Sequence, residues 1–335
     1  MKPPALLLLF SFLVPSLRSD EAKKPEAEKV WMDPAKVDDE DFFIQGEYSG
    51  EIGTGEFKGA KFGVQIWAQG DGKFEWGSYK GGLPGAGWSE DRKDVHRVKG
   101  QRAAGDKVAH FDEADVKATA DGQVIHAMNR KGEVYMELKR VSRQSPTMGA
   151  KPPQGAVVLF DGKDTTHFPG AKVTPDGLLE QGATSSDKLG DGTLHVEFML
   201  SYKPFAHGQQ RGNSGVYLQS RYEIQVLDSF ALEGKNNECG AIYSISAPKI
   251  NMCFPPLTWQ TYDIDFTTAK FDAAGKKTVN ARMTVKHNGV MVQDNVEVPH
   301  ITTSAPEQEQ NTPGPLHLQD HKNPARYRNI WFLPK

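Results

Sequence analysis

The stretch RGNSGVYLQSRYEIQVLD (residues 211–228) has the pattern of two short β-strands joined by a turn, yet it is rich in hydrogen-bonding side chains. In its second half, apolar residues alternate with Glu223 and Gln225, and Asp228 ends the strand. Because successive strand residues point to opposite faces, the carboxylate and the amide share one face. Whether the first strand adds its polar residues to this face depends on the turn, where a one-residue bulge would reverse them. Such a face is either solvated or binds a polar ligand.

The strand pattern continues through the C-terminal half of the chain. Runs such as AVVLF, TLHVEFML, GAIYSI, TYDIDF, ARMTVKH and RNIWFL alternate with turn residues. Asn288-Gly289, between MTVKH and VMVQD, is the strongest short signal for a hairpin. No crossover helices are evident, so residues 155–335 are predicted to form an all-β, antiparallel jelly-roll sandwich rather than a parallel sheet.

An earlier region, residues 42–144, predicts a smaller antiparallel β domain. GVQIWAQ (63–69) and KFEWGSY (73–79) flank Gly70-Asp71-Gly72, which is typical of a hairpin. The polar, Pro-rich segment SPTMGAKPPQ (145–154) predicts a linker between the two domains. The smaller domain shows no site of its own, and its role stays open.

The N-terminus indicates export. Lys2 precedes an apolar run at residues 5–17, and Ser19 is a small residue at a cleavage position. Residues 1–19 therefore predict a signal peptide, which is too short to span a membrane, and residues 20–41 a charged leader. The mature protein is expected to be secreted or periplasmic, with no membrane partner. A net charge of −3 gives no basic excess for nucleic-acid binding.

The chain has two cysteines, Cys239 and Cys253. Export favours a disulfide between them, with two free thiols as the alternative. A structural zinc site on these two residues alone is disfavoured because such sites use four ligands.

A second polar run lies near the C-terminus, GPLHLQDHKNPARYRNIWF (314–332). His317, Gln319 and His321 would share one face while the strand stays extended, and Arg328 lies on the next strand. His321 is a general base, a metal ligand or a structural residue. Trp259 either stacks on a bound ligand or packs in the core, and a Trp flanked by strand residues predicts the core.

Motifs in this half closely resemble the 3-keto-disaccharide hydrolase domain, formerly a domain of unknown function. They are, in order, VVLFDGKD, NSGVYLQ, YEIQVLD, GAIY, LTWQTYDI, HNGV, LQDH and RNIWF. The resemblance covers about residues 155–335 and implies a concanavalin A-like lectin/glucanase sandwich, in agreement with the strand pattern. It also implies carbohydrate chemistry on 3-keto-glycosides or 3-keto-disaccharides.

A 3-keto sugar offers a route that differs from that of classical glycosidases. The C3 carbonyl acidifies the C2 proton, so a base can remove it, the C1 substituent leaves, and water adds to the unsaturated sugar. We expect Glu223 or His321 to be the base, with Asp228 in the same catalytic group. We expect the remaining site residues to bind sugar or orient the base: Arg211, Asn213, Gln225, Tyr243, Gln319 and Arg328.

The enolate oxygen needs a stabilising partner, which Arg211 or a divalent cation would supply. Glu223, Asp228, Asp320 and His321 are suitable ligand types, although their spacing is not diagnostic of a metal. The sequence requires no cofactor. Two alternatives to an enzyme stay open: a non-catalytic, lectin-like sugar-binding module, and a structural protein with two passive β domains.

Overall fold

Eight antiparallel strands form a closed barrel in the first half of the protein. The computed structural model describes residues 29–88, 95–113 and 116–335. The strands are β1 (Gly46–Ile52), β2 (Lys61–Ala68), β3 (Lys73–Lys80), β4 (His96–Gln101), β5 (Ala109–Glu113), β6 (Val116–Ala120), β7 (Val124–Met128) and β8 (Val134–Val141). Each strand pairs with the next, and β1 also pairs with β8, which closes the barrel. The predicted smaller antiparallel β domain is confirmed, but its closure into a barrel was not predicted.

Two further antiparallel sheets form the second half. The larger contains β9 (Val157–Phe160), β10 (Leu179–Glu180), β12 (Gly192–Leu200), β15 (Gln260–Thr267), β18 (Ala281–His287), β19 (Val290–Val298) and β21 (Ala325–Pro334). The smaller contains β11 (Thr184–Leu189), β13 (Asn213–Leu218), β14 (Tyr222–Leu227) and β20 (Gly314–Leu318). A separate ribbon pairs β16 (Lys270–Phe271) with β17 (Lys277–Val279). The predicted β-sandwich is confirmed.

The core of the sandwich lies between its two sheets. Phe198 and Ile264 of the larger sheet belong to the same buried cluster as Val216, Ile224 and Leu318 of the smaller one. On β14, the apolar alternation turns Ile224 and its neighbours two residues away into this core. The intervening residues point to the outer face of the smaller sheet, and the candidate site is there.

Both hairpin signals in the sequence are confirmed. Gly70, Asp71 and Gly72 have φ angles of 80°, 53° and 70° between β2 and β3. Asn288 and Gly289 have φ angles of 50° and 79° between β18 and β19. Two consecutive positive φ angles are typical of the type I′ turn, which matches the twist of paired strands.

Helical structure is sparse in the described residues. The α-helix α1 spans Glu40–Ile44, and 3₁₀ turns span Pro34–Lys36 and Gly208–Gln210. None of the described helices is long and apolar enough to cross a membrane. The predicted signal peptide lies outside the described residues. The leader is described from residue 29, and it packs on the folded parts: Val37 is buried in the barrel core, and Trp31 pairs with Tyr202 of the sandwich.

The segment predicted as a linker is anchored to the outer face of the larger sheet. Thr147 Oγ1 donates to Asp263 at 2.7 Å, and the Gly149 amide donates to Glu197 at 2.6 Å. Glu197 and His195 are both buried, and His195 Nδ1 lies 2.6 Å from Asp263. Although burial acts to lower it, the pKa of His195 is raised by hydrogen bonds with Asp263 and Glu197. The linker therefore covers a buried cluster of charged groups.

Two local predictions need correction. GAIYSI is not a strand, because Gly240 and Ser244 have positive φ angles and Ile245 N bonds back to Ile242 O in a turn. Trp259 is only partly buried, and the Arg328 guanidinium lies 3.9 Å from its ring centroid. A cation stacked on a partly exposed ring replaces the predicted core packing.

Candidate active site

A tight turn sets the register of β13 against β14. Gln219 and Ser220 have φ angles of 56° and 55°, and the Arg221 amide donates to Leu218 O at 3.1 Å. The register that follows pairs Tyr217 with Glu223. Residues paired across an antiparallel sheet lie on the same face. The question left open by the sequence is thus answered: Tyr217 joins Glu223 on the outer face.

Glu223 is a carboxylic acid held away from water. It is 2 % exposed, and its Oε2 accepts a hydrogen bond of 2.8 Å from the hydroxyl of Tyr217. Burial raises the pKa of Glu223 to about 8, although the Tyr217 hydrogen bond acts to lower it. A carboxylate of this kind is a much stronger base than an exposed one and still ionises near neutral pH.

Glycine on the neighbouring strand makes room for this carboxyl group. A Cβ atom at Gly215 would lie 2.2 Å from Oε1 of Glu223 and 2.9 Å from the ring of Tyr217. Any larger residue would displace both groups, so Gly215 determines where the carboxylate sits.

The outer face of the hairpin forms one wall of a cleft with about 320 Å³ of non-protein space, part of it open to solvent. Six of the predicted site residues meet there: Asn213, Glu223, Gln225, Tyr243, Gln319 and His321. The remaining lining residues are Gln209, Tyr217, Thr303 and Ser304. Glu223 is the only acidic residue among the described residues that line the cleft.

Asn213 presents an unpaired acceptor at this cleft. Its Nδ2 donates to the carbonyl and to Oε1 of Gln209, at 2.8 Å and 3.1 Å. Its Oδ1 has no hydrogen-bond partner among the described residues, although the residue is 1 % exposed. A buried polar atom without a partner is costly, and a ligand hydroxyl would satisfy it.

Gln209 joins Asn213 to Gln225. Gln225 Nε2 donates to Oε1 of Gln209 at 3.0 Å, and Gln209 Nε2 donates to the carbonyl of Asn237 at 2.8 Å. These amides hold one another in place, so this wall of the cleft is polar and preorganised.

Three further groups close the cleft. Gln319 Nε2 donates to the Tyr217 hydroxyl at 3.1 Å, and partly buried His321 lies near the amide of Asn323 at 3.4 Å. The Tyr243 amide donates to Glu223 O at 3.1 Å, which brings that side chain to the cleft although its segment is not a strand. Burial, and secondarily the Glu223 charge, raises the pKa of Tyr243. All three side chains can donate hydrogen bonds to a bound sugar.

Arg211, Asp228 and Arg328 do not reach this cleft. Arg211 donates to Oδ2 of Asp228 through Nε at 3.1 Å and Nη2 at 2.6 Å, and both residues are buried. Arg328 lies on the larger sheet and donates to Glu197 at 2.7 Å. The assignment of Asp228 to the catalytic group is corrected, because its carboxylate is used by a buried ion pair. The assignment of Arg328 to sugar binding in this cleft is corrected as well.

Of the four potential metal ligands, Glu223 and His321 line the cleft, whereas Asp228 and Asp320 do not. The described residues contain no group of three or more His, Cys, Asp and Glu side chains placed to hold a metal ion. Asp228 is bound to Arg211, and exposed Asp320 accepts from the amide of Lys322 in a local turn. The donor set in the cleft therefore does not fit a resident divalent cation.

The two cysteines are free and buried, which corrects the predicted disulfide. The Cys239 thiol lies 3.1 Å from the hydroxyl of Tyr262, and Cys253 is its hydrogen-bonded neighbour. Burial raises the pKa of Cys253 well above its ordinary value. Although burial acts to raise it as well, hydrogen bonds from Cys253 and Tyr262 lower the pKa of Cys239.

Four cleft residues were not predicted as site residues: Gln209, Tyr217, Thr303 and Ser304. Tyr217 was identifiable, since a two-residue turn would pair it with Glu223. Thr303 and Ser304 carry no signal in the sequence, because their segment reaches the hairpin only through tertiary contacts. There, the Thr302 amide donates to Arg221 O at 3.0 Å, and the Glu307 amide donates to Ser220 O at 3.0 Å.

The fold and the cleft define an all-β sandwich with a buried acid on the outer face of one sheet. The chain belongs to the 3-keto-alpha-glucoside-1,2-lyase-like domain family, whose model matches residues 155–333. This match confirms the family predicted from the motifs. The barrel lies outside the matched residues.

Solved structures with detectable similarity include three candidate glycosyl hydrolases from Parabacteroides distasonis. The first is 30% identical, with a TM-score of 0.48, over 55% of this chain and 85% of that chain. The second is 18% identical, with a TM-score of 0.39, over 54% and 94% of the two chains. The third is 21% identical, with a TM-score of 0.37, over 54% and 99%. No curated protein matches the chain.

Proposed function

We propose that the protein cleaves 3-keto-glycosides by removing the C2 proton and expelling the C1 substituent. Membership of the family supports a carbohydrate-active function. The observation that carries the proposal is Glu223, a buried carboxyl group whose pKa is raised to about 8 and which lines a polar cleft. A perturbed acid in a cleft with several convergent hydrogen-bonding groups is the usual signature of proton-transfer chemistry.

The composition of the cleft favours this route over classical glycoside hydrolysis. Retaining and inverting glycosidases place two carboxyl groups on either side of the scissile bond. Here Glu223 is the only acid among the described cleft residues. A single base is enough when a ketone at C3 acidifies the neighbouring C–H bond.

The electron movements are as follows. Glu223 takes the proton from C2, the C–H electron pair forms the C2–C3 double bond, and the carbonyl π pair moves to the C3 oxygen. The enolate then collapses: the C3 carbonyl returns, the C1–C2 double bond forms, and the C1–O bond breaks with its pair on the leaving oxygen. That oxygen takes the proton held by Glu223 and leaves as an alcohol, which restores the base. Addition of water to C1 and C2 gives the free 3-keto sugar and completes a hydrolysis.

The cleft residues divide between these tasks. Glu223 acts as the base, and Tyr217 orients its carboxylate. His321 and Tyr243 donate hydrogen bonds to the C3 oxygen as it becomes negative, the role first assigned to Arg211. The amides that bind the sugar hydroxyls are Asn213, Gln225 and Gln319, and the free Oδ1 of Asn213 accepts one hydroxyl hydrogen.

The test is turnover of a 3-keto-glucoside with a detectable leaving group by the purified protein, beside Glu223→Gln and His321→Asn. His126→Asn is the matched control, because His126 lies on barrel strand β7, where its Nε2 is 3.5 Å from Glu137. We expect turnover by wild type and by the control, with loss in Glu223→Gln while its fold is retained. Full activity of Glu223→Gln would refute the assignment of the base. Sugar binding without turnover would indicate a lectin-like module, and loss of activity with a chelator would indicate a cation.

Export is a second part of the proposal. It rests on the composition of residues 1–19, and detection of the mature chain in a periplasmic or culture-medium fraction would test it.

A further inference from the structure

A second cavity lies beside the cleft, between the barrel and the sandwich. It contains about 660 Å³ of non-protein space, and we call it the barrel groove. The barrel contributes Trp67, Gln69, Glu75 and Arg97. The sandwich contributes His207, Gly208, Arg211, Leu232, Glu233, Lys235 and Glu238.

Residues adjacent in the chain separate the barrel groove from the cleft. His207 and Gly208 line the groove, whereas the next residue, Gln209, lines the cleft. A second pair of chain neighbours shows the same arrangement. The Asn237 carbonyl accepts hydrogen bonds from Gln209 and Gln225, which line the cleft, and the next residue, Glu238, lines the groove. Because both cavities are open to solvent, a molecule held beside Glu223 can extend over the rim that these residues form into the barrel groove.

The barrel side of the groove is held rigidly against the sandwich. The Arg97 guanidinium donates to Ala231 O of the sandwich at 2.9 Å, lies 3.6 Å from Glu75 and stacks 5.2 Å from the Trp67 ring centroid. A Cβ atom at Gly70 would lie 2.5 Å from the Phe205 ring, so the β2–β3 turn packs directly on the sandwich. A preorganised wall loses little entropy when it binds a ligand.

The size and charge of the two cavities indicate the ligand. The cleft, with about 320 Å³ of non-protein space, is the smaller cavity and is assigned to one sugar ring, whereas the groove has about 660 Å³. The groove mixes cations, such as Arg97 and Lys235, with carboxylates, such as Glu75 and Glu238. Both signs in similar number favour a neutral molecule with many hydroxyls over an anion.

We propose that the barrel groove binds the leaving-group side of the substrate, namely the second sugar of a disaccharide or a longer glycan. This inference rests on the proposed function and gives the barrel a role in substrate recognition. It also gives Arg211, which was predicted to bind sugar, a position at the groove instead of the cleft.

The test fills the groove without touching the cleft. Gln69→Trp places a large ring in the groove, and Gln101→Trp makes the same change at an exposed position of β4. Two substrates are compared, methyl 3-keto-glucoside and 3-keto-trehalose. We expect Gln69→Trp to lower kcat/KM for the disaccharide about tenfold through KM, with the methyl glycoside within about twofold of wild type. Equal effects on both substrates, or no effect on either, would overturn the inference. Activity on the methyl glycoside reports that the variant is folded.

A binding measurement separates this inference from the proposed function. If wild type turns over neither keto sugar, the proposed chemistry fails, and calorimetry with ordinary trehalose and a maltooligosaccharide then decides the groove. Binding that Gln69→Trp weakens and Gln101→Trp leaves intact would support the groove as a sugar subsite. Absent or unchanged binding would overturn it.

Discussion

The hydroxyl of Tyr217 donates a 2.8 Å hydrogen bond to Oε2 of Glu223, directly across the β13–β14 pair. Burial, together with the Glu223 charge, raises the pKa of Tyr217 well above its ordinary value, so the phenol remains a proton donor over the whole working pH range. The proposed base is thus oriented by a neutral group that favours its ionised form.

We expect Tyr217→Phe to shift the acid limb of the kcat/KM profile to higher pH by about one unit, since a hydrogen bond to a charged group contributes about 1.5–3 kcal/mol. Loss of the hydrogen bond disfavours the carboxylate, raises the pKa of Glu223 above about 8, and leaves less active base at pH 7. The measurement is a pH–rate profile. An unchanged profile with a uniformly lower rate would assign Tyr217 a purely structural role.

Gly215→Ala is expected to lower kcat at least about 100-fold while the protein stays folded, because misplacement of about 1 Å has effects of this size. The added Cβ would lie 2.2 Å from Oε1 of Glu223 and must displace it. Gly190→Ala is the control, since a Cβ there would meet no atom within 4 Å. Near-normal activity of Gly215→Ala would contradict the position assigned to the carboxylate.

Glu223→Gln should stabilise the protein more at pH 9 than at pH 5. The folded pKa of about 8 lies above the ordinary value of 4.5, so the folded protein holds the proton more tightly than the unfolded chain. Ionisation of Glu223 therefore lowers the free energy of unfolding progressively as pH rises from 4.5 to about 8, and the full loss applies above 8. Thermal unfolding of both proteins at the two pH values measures this. An equal difference in Tm at pH 5 and pH 9 would rule out a buried, raised pKa.

Glu197→Gln is expected to show the opposite pH dependence. Although burial acts to raise it, hydrogen bonds from His195, Asn329, Arg328 and the Gly149 amide lower the pKa of Glu197 to about 2. This group therefore stabilises the fold fully above 4.5, and its contribution is lost as pH falls toward 2. We expect a lower Tm for Glu197→Gln at pH 7, a difference that shrinks at pH 3, and unchanged kcat. Loss of activity without loss of stability would contradict a role of Glu197 that is limited to anchoring residues 145–154.

Local patterns in the sequence predicted much of the fold. Alternation placed Glu223 and Gln225 on one face, and Gly-rich or Asn-Gly turns located the hairpins, because both signals come from neighbours in the chain. Six predicted site residues, among them His321, line the cleft.

Contacts between distant residues account for what the sequence did not predict. Arg211 and Asp228 have the composition of a sugar site, and only the tertiary structure pairs them with each other. Arg328 follows the site motifs in the chain, yet it lies on the other sheet beside Glu197. The barrel closes through β1 and β8, which are the most distant strands of that domain along the chain.

The anchored linker has a practical consequence for shortening the chain. The family match begins at residue 155, which invites an expression boundary at that position. A fragment cut there would lose Thr147 and the Gly149 amide, and it would open Glu197, His195 and Asp263 to water. The natural N-terminal limit of the sandwich is therefore before Ser145, whose hydroxyl lies 2.6 Å from that of Thr261. Ten residues of apparent spacer belong to the folded domain that they precede.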